Sequence, residues 1–317
     1  MLYRLTMFTD TLASTGDPLS KTLMKMRLKA FLNVALDCGG NWAVDFPGEN
    51  AFSFNVIQKG ECWLAIAKNT YHLRSGDCVL ITGGTPFVLA KDLAIKRRVR
   101  PEQFYEHAHD GVVTLHGGGD FFCIGTVTQF EGHLPKILFG RLPPLIHIPA
   151  DSDQAAVMRW GLERFSAEFR GHGAGRSLIL NHLAPIMFLQ TLRVYLASAK
   201  NDKNWLVALS DPKLSKAIEA MHTDYERPLS LEGLAKIAGM SRSGFALSFK
   251  QKVGIAPMDY LTNWRMQIAC ELLQSENESL SSIASAVGYE SQSAFSTAFK
   301  KIVRVRPGAY QKSLSAA

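Results

Sequence analysis

The chain has 317 residues, 47% of them apolar and 20% charged, with a formal net charge of +7 and a pI of about 9.1. That length holds two or three domains of ordinary soluble composition, and the basic balance suits a polyanionic partner without favouring any fold. Five cysteines (Cys38, Cys62, Cys78, Cys123 and Cys270), odd in number and with no CxxC pair, argue against a disulfide framework and a zinc ribbon.

No apolar run followed by a cleavage site opens the chain. Residues 17–37 carry apolar side chains at helical spacing, with Asp17 and Pro18 as start signals, and predict a helix. From Trp42 to about Leu89 the period falls to two. Phe52, Phe54 and Val56 alternate with polar residues, as do Cys62, Leu64 and Ile66, and turns fall at 59–61, 68–70 and 74–77 before Val79–Ile81. Val112–Leu115 and Phe121–Val127 continue the strands, and Leu142–Ile148 reads as a closing segment. Short strands with Gly-containing turns predict a β-sandwich or barrel. The densest basic run, Lys96 to Arg100, reads as a solvated loop.

The period then changes to 3.6. Asp151, Ser152 or Asp153 caps a helix to about Phe169, and the glycines of 171–175 break it. A second helix, from about Ser177 to Ala199, is apolar nearly all round and must be buried, in its own domain or against a second copy of the chain. Pro185 is expected to kink it. Asn181, His182, Pro185, Gln190 and Arg193 interrupt its apolar run, which falls short of the roughly 20 apolar residues of a membrane span. A soluble cytoplasmic protein with reduced thiols and no membrane partner is expected. Residues 200–204 read as a polar linker, and from Pro212 onward the chain reads helical.

The last hundred residues state one pattern twice. Leu231 to Lys250 reads L-E-G-L-A-K-I-A-G-M-S-R-S-G-F-A-L-S-F-K, and Leu280 to Lys300 reads L-S-S-I-A-S-A-V-G-Y-E-S-Q-S-A-F-S-T-A-F-K. Pro257 and Tyr260 recur as Pro307 and Tyr310. Two copies are too few for a solenoid, whereas a helix, a Gly turn and a second helix make a helix–turn–helix unit. Phe245 with Phe249, and Phe295 with Phe299, lie on one face and would anchor the second helix of each copy. The opposite face holds Arg242, Ser243, Ala246 and Leu247 in copy one and Gln292, Ser293, Ser296 and Thr297 in copy two. Lys250 and Lys300 end the helices, where a cation suits the helix dipole and can meet a phosphate. The helix between the copies, from Pro257 to about Gln274, is roughly 26 Å long. Two recognition helices held at that distance or slightly more would enter successive major-groove turns near ~34 Å.

On these residues the stretch from about Ser210 to Ser313 resembles the DNA-binding domain of AraC/XylS-type bacterial transcription regulators. The matches are L-x2-L-A-x2-A-G-M-S at Leu231–Ser241, the Phe-x3-Phe-Lys of Phe245–Lys250, A-x2-V-G-Y-x-S-x-S-A-F-x3-F-K at Ala284–Lys300, and the ending Val305–Tyr310. The resemblance implies a seven-helix domain that binds promoter DNA and activates through RNA polymerase. Ala246 and Leu247 depart from relatives that carry long polar residues there. Short or apolar side chains reach only a thymine methyl or sugar edges, so weaker base discrimination is expected from copy one.

The segments at 17–20, 38–44, 59–64, 75–81 and 141–148 resemble, more weakly, the cupin-like sensor domain of one AraC subgroup, some of whose members respond to oxidants through cysteines. Relatives often have His near positions 55 and 87, where this chain has Asn55 and Phe87. The remaining His72, His107, His109 and His116 fit no metal motif, so no metal and no cofactor is expected. His116–Gly119 resembles a lipase oxyanion loop, but no G-x-S-x-G supplies a nucleophile, and a flexible turn is expected instead. No catalytic residue is assigned. Asn55, Phe87, Cys62 and Cys78 remain candidates for sensing a small molecule or an oxidant, the two cysteines being expected on neighbouring strands.

The expectation is thus an α+β multidomain chain. Residues 1–150 form a cupin-like β-barrel or sandwich with a regulatory role, 151–204 a helical dimerisation or linker region, and 210–313 an all-α tandem helix–turn–helix domain. The protein would be a transcription regulator, most simply an activator, and not an enzyme. Its partners would be double-stranded promoter DNA, RNA polymerase, an effector and a second copy of the chain. The alternatives are a cupin metalloenzyme tethered to DNA, or a constitutive DNA-binding protein whose front domain only dimerises.

Overall fold

The computed structural model describes residues 18–25, 28–48, 51–103, 108–130, 134–199, 204–274 and 278–315. Helix α1 (Pro18–Lys25) gives way to strand β1 (Leu28–Cys38), so the single helix expected over 17–37 is corrected, and Asp17 lies outside the described residues. β1 is covered on both faces: Leu36 and Cys38 join the core between two sheets, while Ala35 packs against helices. A strand buried on both sides loses its polar alternation and imitates a helix in sequence.

Strands β2 (Ala43–Phe46), β3 (Phe52–Lys59), β4 (Glu61–Ile66), β5 (Asn69–Arg74), β6 (Cys78–Ile81), β7 (Phe87–Ala90), β8 (Val112–Leu115) and β9 (Phe121–Phe130) follow. After a short helix α2 (Leu134–Phe139), β10 (Leu145–Ile148) completes the set. Ten strands make two sheets among the described residues, one in the order β10-β6-β3-β9-β1-β8 and one in the order β2-β7-β4-β5. Gly60, at φ +74°, carries the chain from β3 in one sheet to β4 in the other, and β4–β5 reverses at Ala67–Lys68, slightly ahead of the expected 68–70, in antiparallel register from Glu61 with Arg74 to Ile66 with Asn69. The inner faces meet through Leu36, Val44, Ile57, Leu64, Val79, Leu89 and Phe121, which form the core of the sandwich.

Helices α3 (Asp153–Arg170) and α4 (Arg176–Ser198) lie against the outer face of the larger sheet. Ser152 caps α3, its Oγ accepting from the Ala155 N–H at 3.2 Å. Phe165, Phe169, Leu180, Leu183 and Ala184 cover Ala35 and Ile124. Part of the apolar surface of α4 is thus covered by the sheet and part by α3, where Met187 lies against Gly161, while Leu178 and Ile186 stay exposed; the helix continues through Pro185. Residues 28–129 and 142–199 form one compact unit. Residues 151–199 thus fold with the strands, where the sequence had set 151–204 apart.

In the second unit α1 and α2 join the helices after residue 200. These are α5 (Trp205–Leu209), α6 (Pro212–Thr223), α7 (Leu231–Ile237), α8 (Arg242–Val253), α9 (Pro257–Leu272), α10 (Leu280–Ala286), α11 (Gln292–Val303) and α12 (Pro307–Ser315). The seven from α6 onward match the implied seven-helix domain. Asp211 caps α6, accepting from Lys213 N–H at 2.9 Å and Leu214 N–H at 3.2 Å, and Lys252 at the end of α8 donates to the same carboxylate. At the centre of the unit Tyr260 Oη accepts from Trp205 Nε1 at 3.0 Å and lies 2.7 Å from His222 Nε2, whose ring stacks on Trp264 at 3.7 Å. Residues 200–203 of the expected linker lie outside the described residues.

Candidate nucleic-acid interface

Each copy is built from the same local devices. Ser230, Ser241, Ser279 and Ser291 are N-caps whose Oγ atoms accept from Gly233, Gly244, Ser282 and Ala294 N–H groups. Each satisfies a backbone donor that the first helical turn leaves open. Gly239 and Gly288 make the turns at φ +62° and +76°, a left-handed backbone that glycine alone adopts without cost. Phe245 and Phe249 lie edge to face at 5.6 Å, and Phe249 meets Tyr260 at 5.6 Å. Copy two repeats the triplet, with Phe295 and Phe299 at 5.6 Å and Phe299 and Tyr310 at 5.7 Å. All four phenylalanines are fully buried, so the second helix of each copy is keyed into the core along one face.

The opposite face carries the candidate residues. Arg242, Ser243, Leu247 and Lys250 on α8, and Gln292, Ser293, Thr297 and Lys300 on α11, are exposed, while Ala246 and Ser296 are half-buried. Leu247 is 61% exposed, so copy one presents an apolar side chain to solvent at its centre. The Thr297 hydroxyl donates to the Ser293 carbonyl at 3.0 Å, which leaves its oxygen free to accept. The copy-two face opens into a groove of about 870 Å³ lined by Ser293, Ser296, Thr297 and Lys300 together with Lys301, Arg304 and Arg306. Those last three cations were not among the candidates, although the charge run from Lys300 to Arg306 was visible in the sequence.

In the strand unit, Asn55 and Phe87 line one cavity of about 230 Å³ with Val34, Leu36, Phe46, Ile81 and Val127. Phe87 stacks on Phe46 at 4.5 Å. Asn55 Nδ2 donates to Ser53 Oγ at 2.9 Å, and its Oδ1 lies close over Gly125, leaving no room for a Cβ there. Cys123 lines this cavity; Cys62 and Cys78 do not. Cys62 lies on β4 and Cys78 on β6, which belong to different sheets, so the expected pairing on neighbouring strands is corrected. All five cysteines are unpaired and buried. Burial pushes the Cys78 thiol up to about 12 and holds Cys38, Cys62 and Cys123 well above the usual thiol range. These are protonated core thiols, the opposite of the exposed, activated thiolate that oxidants attack.

His72 stacks on Trp63 and meets Glu61 at 3.3 Å, His109 is exposed beside Asp110, and His107 lies outside the described residues. Among the described residues no three His, Cys, Asp or Glu side chains gather as a metal cluster. The His116–Gly119 segment is a turn tied down by Asp37, whose Oδ1 accepts the Gly119 N–H at 2.7 Å. That donor is occupied and forms no oxyanion hole. No described helix is long and apolar enough to cross a membrane.

A cupin family model matches residues 17–197, and a helix-turn-helix domain model matches residues 234–313. A Streptomyces lividans protein bearing the name AraC-like transcription regulator is 36% identical over 299 residues, covering 93% of this chain and 98% of the relative. The HTH-type transcriptional regulator AlkR of Acinetobacter baylyi is 31% identical over 303 residues, covering 93% of this chain and 99% of its own length. Among solved structures, the DNA-binding domain of AdpA in complex with a target DNA is 28% identical over 33% of this chain and 95% of that one, with a TM-score of 0.32. The chain belongs to the AraC-like transcription regulators, with a cupin domain ahead of a helix-turn-helix domain that binds double-stranded DNA.

Proposed function

We propose that the protein is a cytoplasmic transcription activator that reads two half-sites on one face of a promoter, one with α8 and one with α11. The observation that carries this reading is the repeated geometry: two Ser-capped helices, each anchored by a buried Phe pair, each presenting four side chains and a terminal Lys outward. The spacer α9 has 16 residues, about 24 Å at 1.5 Å per residue, which suits helices set about one duplex turn apart. Arg242, Ser243, Ala246, Leu247, Gln292, Ser293, Ser296 and Thr297 face base edges, with Arg242 and Gln292 the longest readers. Lys250 and Lys300 meet phosphates. Recruitment of RNA polymerase follows from the family resemblance.

The strand unit is the regulatory part. Its cavity is lined mainly by apolar side chains, with Ser53, Asn55 and Thr85 as polar groups, and suits a small apolar effector with one hydrogen-bonding group. Buried, high-pKa thiols support an effector of this kind over an oxidant. Homodimerisation is supported by Trp160 on α3 and Leu178 on α4, which are 67% and 63% exposed. Capture of genomic fragments by the full chain at moderate salt tests the reading, repeated while small aromatics and oxidants are titrated. A recurring sequence is expected, with occupancy that responds to an apolar ligand. Fragments without a shared sequence would sink the reading, since salt-driven binding is unspecific.

A further inference from the structure

The two copies differ in what their turn glycines face. An added Cβ at Gly239 of copy one would meet nothing within 4 Å. At Gly288 of copy two it would lie 2.8 Å from Arg265 Nη2, 2.8 Å from the Glu226 carbonyl oxygen and 2.9 Å from that of Tyr225. The copy-two turn is therefore pressed against the loop that leads into copy one, and the side chain of Arg265, from the middle of α9, occupies the seam. Arg265 Nε donates to the Tyr225 carbonyl at 2.8 Å and Nη2 to the Arg227 carbonyl at 2.8 Å. Its guanidinium sits 5.7 Å from the centroid of the Tyr289 ring. Tyr289 in turn meets Phe295, the buried anchor of α11, edge to face at 6.0 Å.

A contiguous set of contacts thus runs from the copy-one loop through Arg265 and Tyr289 to the copy-two recognition helix. Only a planar guanidinium supplies two divergent N–H donors and a face for an aromatic ring at once; a lysine ammonium is a single point charge on a flexible stem. The open side of Gly239 shows that this packing is no requirement of the helix–turn–helix turn itself. It belongs to the junction between the copies.

We propose that Arg265 is a positioning residue for DNA recognition: it locks the copy-two turn to the copy-one loop so that α8 and α11 meet one duplex as a fixed pair. The inference rests on the reading that both helices engage the same promoter. A rigid junction makes the second engagement intramolecular, and its contribution falls when the junction loosens.

The test uses the full-length chain and the tightest duplex it selects from randomised DNA, beside the same duplex with either half-site scrambled. The wild type is expected to prefer the intact duplex by about 100-fold or more. R265A should cut that preference at least about tenfold while binding to each scrambled duplex stays within about twofold, because no DNA-facing side chain has changed. One or two base pairs inserted between the half-sites should penalise the wild type more than R265A. R265K keeps the charge but not the fork. It should follow R265A, and it carries the same comparison if R265A does not fold. Full recovery in R265K would mean that charge alone matters and would overturn the proposal, as would equal losses on intact and scrambled duplexes. A wild-type preference that survives intact in R265A refutes the role of Arg265 alone. A wild type with no preference overturns the two-half-site reading and the proposal with it.

Discussion

Arg304 and Gly254 occupy the same place in the two copies, just beyond the recognition helix, and both are left-handed, at φ +71° and +101°. Copy one uses glycine, which adopts this backbone freely; copy two keeps an arginine at a cost of about 1 kcal/mol. The strain retains a cation in the groove beside Lys300 and Lys301. R304G should therefore raise thermal stability by about 0.5–1 kcal/mol and weaken DNA binding, as read by calorimetric melting beside a binding titration. On the proposed reading the side chains facing outward divide by task. Replacing Gln292 and Ser293 together by Ala should flatten the preference for the selected operator over its point variants, each base contact contributing about 1–3 kcal/mol. K300A should weaken all sequences alike and lower the salt slope by about one. That these positions share one outward face was legible in the sequence because capping serines and Phe pairs fix the register of a helix. Arg265 was not legible, since its partners Tyr225, Arg227 and Tyr289 meet it only after the chain has folded.

At the scale of elements, a signal survived in the sequence where one periodicity dominated. The strands from β3 to β6 and the helices from α6 to α11 follow their patterns and caps. β1 imitated a helix because Ala35 and Leu36 are buried on opposite faces of the same strand. Helices α2 and α5, of six and five residues, are too short to show a period, and their formation depends on packing. That packing is specific. Phe139 of α2 is fully buried and meets the equally buried Trp205 of α5 edge to face at 6.3 Å. F139A should remove about 3–5 kcal/mol from the helical unit, read by urea unfolding followed through tryptophan fluorescence. An unchanged midpoint would mean that α2 contributes nothing to that core. Asp211 belongs to the same unit. Burial alone would raise its carboxyl, but the Lys252 ammonium and the Leu214 and Lys213 amides outweigh that and lower it. Its contribution is thus complete above the usual carboxylate range and fades as pH falls through the lowered value.

For the whole molecule, the sequence divided the chain into three successive parts, whereas the packing divides it into two discontinuous ones. The paired helices α3 and α4 looked independent because both are long and carry many apolar residues; the outer face of the larger sheet and their contact with each other cover part of that surface, and Trp160 and Leu178 stay exposed. The opposite departure has the wider reach. The helical unit draws α1 and α2 from segments that precede and interrupt the strands. A break at residue 200 would therefore leave that unit without the ring that covers Trp205. Shuffling whole sensor modules between regulators at that junction would yield damaged products. On the proposed reading of the cavity as an effector site, a new response is more readily acquired by point changes in its lining than by recombination.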